Sequence, residues 1–335
     1  MTHDYVTFTQ RLTGAARRLL LPALALSLCA ANVACTSAPK DEEKVAESTE
    51  ETSAPEAAAA DDKPVDTSRI VSLNGTVTEI LIELGLQDNL VGVDISSTYP
   101  EELSELPNIG YYRQLSDEGI LGLSPTFIIG ENEAGPLTVM RRLRAANVAL
   151  SLLAVELTEE GTYTRITDVA KAVEREAEGE AFLARFKEEL AASKVAPGLP
   201  ADQKPRILGV YARGAGLSMV GGSNTAFHVL IELVGAENAV GNMKGFQPLS
   251  PEALAVSNAD AILIPKGALE ALGGERGLLS FPGMMQTPAG KNRHILVYDD
   301  LLLTGLGPRL PELVTTLRAD LATLFGDTPD SGESE

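Results

Sequence analysis

The 335-residue sequence predicts an α/β protein of two Rossmann-like lobes with central, largely parallel sheets, joined by a single long helix. Three observations carry that expectation. Brief apolar runs alternate with amphipathic stretches in each half, the pattern of strand and crossover helix. Residues 159–196 between the halves hold no strand-like run. Each half also carries a Leu-Ser-x-Glu segment at the same place before a helix and the next strand.

In the first half, Ile70-Val71-Ser72-Leu73 reads as a buried strand, and Asn74-Gly75-Thr76 opens an amphipathic helix that ends at Gly85. Leu90 to Val93, Thr126 to Ile129 and Ala149 to Leu153 repeat the short buried strand, with a helix from Pro136 to Ala146 among them. Glu178 to Lys194 is rich in Ala, Glu, Lys, Leu and Phe at helical spacing and reads as one long helix. After Pro197, Pro200 and Pro205 the alternation restarts. Arg206 to Tyr211, Ala261 to Ile264 and His294 to Val297 are strands there, and Asn224 to Val234 is a helix. The implied boundaries are 67–158 for the first lobe, 159–196 for the linking helical segment and 197–326 for the second lobe.

The flanking segments read differently. Arg11, Arg17 and Arg18 precede an apolar run from Leu19 to Ala31 and small residues leading to Cys35, which is the pattern of a secretory signal peptide over residues 1–35. That run is shorter than the roughly 20 apolar residues of a membrane-spanning helix. Asn32-Val33-Ala34-Cys35 is similar to a lipoprotein cleavage site, in which the cysteine is acylated and becomes the new amino terminus; Asn32 departs from the usual aliphatic residue, so ordinary cleavage stays open. Residues 36–66 carry ten acids against Lys40, Lys44 and Lys63, too little apolar surface to fold, and read as a disordered acidic tether. Residues 327–335 read as a disordered tail. The expected location is therefore the cell envelope, lipid-anchored on the outer face of the cytoplasmic membrane.

Composition removes several function classes. A net charge of -20 argues against a nucleic-acid partner, which needs clustered Lys and Arg. Both cysteines, Cys29 and Cys35, lie in the leader, so the folded part offers neither disulfide nor thiolate metal site. No clustered His and carboxylates suggest zinc, manganese or non-haem iron. His228 falls inside a helix and His294 abuts a strand, where a lone His is usually packed or solvated. No dinucleotide or Walker glycine loop and no Ser-His-Asp set is evident, although Gly214-Ala215-Gly216 faintly suggests a phosphate loop. An enzyme is not expected.

What remains is a repeated Tyr-x-Arg. Ile109-Gly110-Tyr111-Tyr112-Arg113-Gln114-Leu115-Ser116-Asp117-Glu118-Gly119 ends a strand region of the first lobe, and Val210-Tyr211-Ala212-Arg213-Gly214 ends a strand of the second. With Met219-Val220-Gly221-Gly222, these segments resemble the haem-binding members of the class III periplasmic binding proteins, whose two α/β lobes are joined by one long helix. The resemblance covers about residues 68–325, and the first segment is similar to the signature Gly-Tyr-x-Arg-x-Leu-Ser-x-Glu-Gly.

That resemblance implies an extracytoplasmic, monomeric substrate-binding protein of an importer, holding haem b as transported cargo between its lobes. Tyr111 matches the axial-ligand position, a phenolate being one of the donors that ferric haem accepts. Tyr112 is an alternative, because sequence alone does not fix which ring points into the cleft. Tyr211 is either a second ligand or a lining residue. If the loop entrance is extended, side chains at i and i+2 face the same way, and Arg113 is then placed to donate to Tyr111 or pair with a haem propionate. Arg213 repeats that arrangement beside Tyr211. Glu118 and Glu252, one on each lobe, are implied to dock on an ABC permease dimer with its cytoplasmic ATPase; as first-turn acids they also suit a helix dipole. The alternatives are the same fold holding cobalamin or a ferric siderophore, an envelope receptor that passes haem to other proteins, or a haem-modifying or nucleotide-dependent enzyme.

Overall fold

In this computed structural model the described residues are 64–199, 202–213 and 217–326. The leader with Cys35, the expected tether up to residue 63, the glycines Gly214 and Gly216 with Ala215 between them, and the expected tail at 327–335 lie outside them. Ahead of the first lobe's opening strand Val65 is half-buried, and its N–H donates to the Glu174 carboxylate at 3.0 Å.

The first lobe runs β1 (Ile70–Ser72), α1 (Gly75–Glu83), β2 (Leu90–Val93), α2 (Asp117–Leu121), β3 (Phe127–Glu131), α3 (Leu137–Ala145) and β4 (Ala149–Leu153). Its four strands are all parallel, in the order β2-β1-β3-β4. A parallel sheet is covered by helices on both faces, which is why its strands are continuous apolar runs. Ile70, Val71, Ile128 and Ile129 are fully buried. The order reverses between β1 and β3, and at the carboxyl ends of these two strands the Asn74 amide donates to the Glu131 carboxylate at 3.1 Å.

Two helices follow, α4 (Glu159–Ala172) and α5 (Glu176–Val195). The linking segment is thus broken once, where Glu174 takes a left-handed φ of 55°. The 20-residue α5 is the long connecting helix, and it buries Phe182, Phe186 and Leu190 at intervals of four.

The second lobe contains β5 (Arg206–Arg213), β6 (Leu217–Gly221), α6 (Ala226–Leu233), β7 (Glu237–Asn238), β8 (Phe246–Pro248), α7 (Pro251–Ser257), β9 (Ala261–Pro265), α8 (Lys266–Ala271), α9 (Gly274–Leu279), α10 (Pro288–Asn292), β10 (Ile295–Tyr298), α11 (Asp300–Gly305) and α12 (Leu310–Phe325). Its sheet has the order β10-β9-β5-β6-β8, with β7 also on β5. The β10-β9-β5 part is parallel, and β6 and β8 add an antiparallel extension. The two-lobed α/β architecture predicted from sequence is present, with that extension as an addition.

One hydrophobic core spans both lobes, from Ile70 and Phe127 through Phe186 to Phe227 and Leu317. Polar contacts tie the junction further. The Thr76 hydroxyl donates to the Gly305 carbonyl at 3.3 Å, and Arg309 donates through Nε to Glu79 at 2.9 Å while its guanidinium lies 4.1 Å from the Tyr99 ring centroid. Arg165, on α4, is buried and pairs with Glu131 at 3.0 Å. No helix among the described residues is long and apolar enough to cross a membrane.

Candidate functional site

The two Tyr-x-Arg segments sit on different backbones. Asn108 to Leu115 is a loop between β2 and α2; the Asn108 side chain accepts from the Gly110 N–H at 2.8 Å, and Gly110 has a φ of 87°, a conformation that glycine adopts without a steric penalty. The chain then turns, with the Gln114 N–H donating to the Tyr111 carbonyl at 2.7 Å. Tyr111 and Arg113 therefore lie within a turn, and the extended backbone that would align i with i+2 is absent.

Arg113 accordingly points elsewhere. Its Nε donates to the Tyr112 hydroxyl at 3.0 Å, and its guanidinium pairs with Glu133. Tyr112 stands edge-on to Tyr111, ring centroids 4.7 Å apart at 69°. Burial, then the neighbouring Tyr111, pushes the Tyr112 phenol well above its ordinary pKa, with Arg113 only partly opposing. Among the described contacts of Tyr111, the cation on its ring is not Arg113 but Arg213, with Cζ 4.5 Å from the centroid.

In the second lobe Tyr211 and Arg213 are strand residues, so i and i+2 share a face. Arg213 Nε donates to the Tyr211 hydroxyl at 2.6 Å. Burial works against the Arg213 charge, but Tyr211 and Tyr111 beside it more than offset this and hold its pKa above the usual guanidinium value. One guanidinium thus bridges the two lobes, bonded to the phenol of one and stacked on the ring of the other. The structure brings Tyr111, Tyr211 and Arg213 together; Tyr112 and Arg113 form a neighbouring group on the first-lobe rim.

Register builds an apolar wall around Tyr211. Met219 lies opposite Tyr211, Leu217 opposite Arg213, Phe246 opposite Gly221 and Pro248 opposite Met219. By the two-residue period these side chains share one face, while Val210, Ala212 and Val220 are buried on the other. Leu217 and Phe246 are 46% and 40% exposed on the Tyr211 face. Phe246 packs on Tyr211 at 5.6 Å between centroids and on Phe227 at 6.2 Å. On the first lobe Ile95 is 58% exposed, and its N–H donates to the Gly110 carbonyl next to Tyr111. Sequence reasoning missed Leu217, Phe246 and Ile95, and it named Met219 only within the Met219-Val220-Gly221-Gly222 segment of the resemblance, with no role in the site. Only the alternation of Leu217 and Met219 hints at a strand, and nothing local pairs it with β5.

Glu118 and Glu252 are exposed, each the second residue of its helix. Ser116 and Ser250 cap those helices, accepting from the Gly119 and Ala253 N–H groups. The backbone N–H of Glu252 itself, then Ser250, lowers the Glu252 pKa. Two histidines lie among the described residues: His228 Nδ1 is 3.4 Å from the Asn238 amide, and the His294 ring meets Phe325 edge-on. Among the described residues no group of three or more His, Cys, Asp or Glu could hold a metal ion.

Residues 70–301 match the family model described as periplasmic binding protein. The chain belongs to that family. It is similar to the structure of the periplasmic heme-binding protein RhuT from Roseiflexus sp. RS-1 in apo form, at 41% identity and a TM-score of 0.73 over 77% of this chain and 98% of that one. The periplasmic heme-binding protein BhuT in complex with two hemes is 35% identical, with a TM-score of 0.70 over 76% of this chain and 98% of the other. The uncharacterized ABC transporter substrate-binding lipoprotein YvrC of Bacillus subtilis (strain 168) is 23% identical over 74% of this chain and 78% of its own length. A shorter match, to the vitamin B12-binding protein of Vibrio campbellii, is 29% identical over 38% of this chain and 46% of that protein. The architecture read from the sequence, two lobes on one long helix, is the family's fold.

Proposed function

We propose that this chain is the extracytoplasmic substrate-binding protein of an ABC importer, capturing haem b between its lobes, delivering it to the permease and catalysing nothing itself. The observation that carries the reading is Arg213, bonded to Tyr211 of its own lobe and stacked on Tyr111 of the other. Two phenols and a cation converge there beside an apolar wall, which suits an iron porphyrin: phenol oxygen as a donor for ferric iron, a guanidinium bonded to one phenol, and apolar side chains for the macrocycle. The similarity to heme-binding RhuT and BhuT supports the same cargo. Tyr111 and Tyr211 are the proposed ligands. Tyr112, whose phenol pKa is raised by burial and whose hydroxyl is engaged by Arg113, suits a supporting place better.

Hemin titrated into the purified chain should give a shifted Soret band with a phenolate-to-iron charge-transfer feature. Tyr111→Ala and Tyr211→Ala should each alter it, and the double variant should lose it. Retention of the wild-type spectrum by the double variant would overturn the assignment. The vitamin B12-binding relatives favour one competing cargo; cobalamin that binds while hemin does not would replace haem in the proposal. Acylation of Cys35 is proposed to hold the chain at the membrane. Glu118 and Glu252 are proposed to meet arginines of the permease, so Glu118→Lys with Glu252→Lys should abolish transport while leaving the hemin spectrum unchanged.

A further inference from the structure

The Tyr112, Arg113 and Glu133 group is not used by the two-phenol reading, and its arrangement carries its own meaning. Glu133 lies in the loop after β3. That loop is fastened to the tyrosine loop by two backbone bonds, Gly135 N–H to the Tyr112 carbonyl at 2.8 Å and Leu115 N–H to the Gly135 carbonyl at 2.9 Å. The fastening holds the Glu133 carboxylate on Arg113, whose Nε is engaged by the Tyr112 hydroxyl at 3.0 Å; that hydroxyl also reaches Glu133 at 3.4 Å. The Arg113 and Glu133 side chains are 49% and 54% exposed, so water and solutes reach the pair. The Arg113 guanidinium is 5.3 Å from the Tyr112 centroid, and Tyr112 in turn touches Tyr111.

A guanidinium binds one carboxylate much as it binds another, in a planar two-pronged geometry. An exposed pair is also weak enough to exchange partners. We propose that Glu133 is a specificity-determining residue: it occupies Arg113 as an internal carboxylate and sets how strongly the site prefers ligands bearing carboxylates of their own. A ligand propionate reaching Arg113 must displace Glu133, so the acid restrains binding of anionic cargo and leaves uncharged cargo unaffected. This rests on the haem reading, because it takes the porphyrin carboxylates as the competing groups.

Hemin and hemin dimethyl ester, whose carboxylates are blocked, separate the contributions when each is titrated at fixed pH into wild type, Glu133→Gln, Arg113→Gln and the double variant. Glu133→Gln should bind hemin about two- to fivefold more tightly, the range of an exposed ion pair, and the ester with unchanged affinity. The gain should disappear when Arg113→Gln is also present, and hemin binding by Glu133→Gln should weaken more steeply with salt than that of wild type. Equal change for both ligands, or no gain for hemin, would overturn the proposal and leave the haem reading standing. A wild type whose spectrum responds to neither ligand would instead remove the parent reading and this inference with it.

Discussion

The two Tyr-x-Arg segments have identical spacing and opposite outcomes. In the second lobe the segment is strand, so tyrosine and arginine project together and Arg213 donates to Tyr211 at 2.6 Å. In the first lobe it is a turn, so Arg113 swings away from Tyr111 and donates to Tyr112 at 3.0 Å. The first-lobe tyrosine then takes its cation from the other lobe, through Arg213. A repeated motif therefore does not make a repeated site. One arginine serves both phenols, and the other is free to pair with Glu133.

The same contrast runs through the two acids at the end of β3. Glu131 is buried against Arg165 and Asn74, and Glu133, two residues on, is half exposed against Arg113. The largest effect should come from the inner pair. Arg165→Ala leaves a buried carboxylate without its cation and should cost about 3–5 kcal/mol of stability by chemical denaturation. Arg113→Ala at the rim should cost under about 1 kcal/mol. Similar losses from both would break the comparison.

Next in size is the division between the two arginines. Arg213→Ala removes a hydrogen bond to a proposed ligand phenol, so hemin affinity should fall about tenfold or more. Arg113→Ala should fall markedly less, measured in the same absorbance titration. Equal losses would mean that both lobes use their arginines alike, as the spacing by itself suggests.

Smaller is a pH effect from the first lobe's buried acids. Burial, opposed by bonds from Ser96 and Ser97, raises the Asp94 pKa above its ordinary 3.8. A folded-state value above the unfolded one means that the folded chain holds its proton more tightly. The associated stability is present below that ordinary value and lost as pH rises through the raised one. The stability of wild type relative to Asp94→Asn should thus decline across that window, in denaturation curves taken at successive pH values. A difference that grew with pH would reverse the sign. A modest effect is also expected at the wall: Phe246→Ala removes ring packing on Tyr211 and Phe227 and should cost about 1 kcal/mol in the same assay.

Much of the fold is legible before any coordinates. Ile70-Val71, Ile128-Ile129 and Ile262-Leu263-Ile264 are apolar runs that only a covered sheet buries, and the spacing of Phe182, Phe186 and Leu190 declares the face of α5. The hydroxyl caps at Ser116 and Ser250 are local chemistry and sit where the Leu-Ser-x-Glu segments place them. The β6 and β8 extension is not legible, because Leu217-Ser218-Met219-Val220-Gly221 is short and glycine-flanked, and Phe246-Gln247-Pro248 ends in proline. Their pairing is a long-range choice.

What the sequence by itself determined is thus everything with a local pattern or a local bond: strands as short continuous apolar runs, a helix with its apolar residues every fourth, caps, and phenol and guanidinium brought near each other along the chain. Tertiary structure alone decided which arginine serves which tyrosine, that Glu133 holds Arg113, and that Leu217, Met219 and Phe246 make one wall. The reason is that a side chain's direction follows from the backbone beneath it and its partners from elements far off in sequence. A turn and a strand aim the same three residues differently, and register between distant strands has no signature in any one of them.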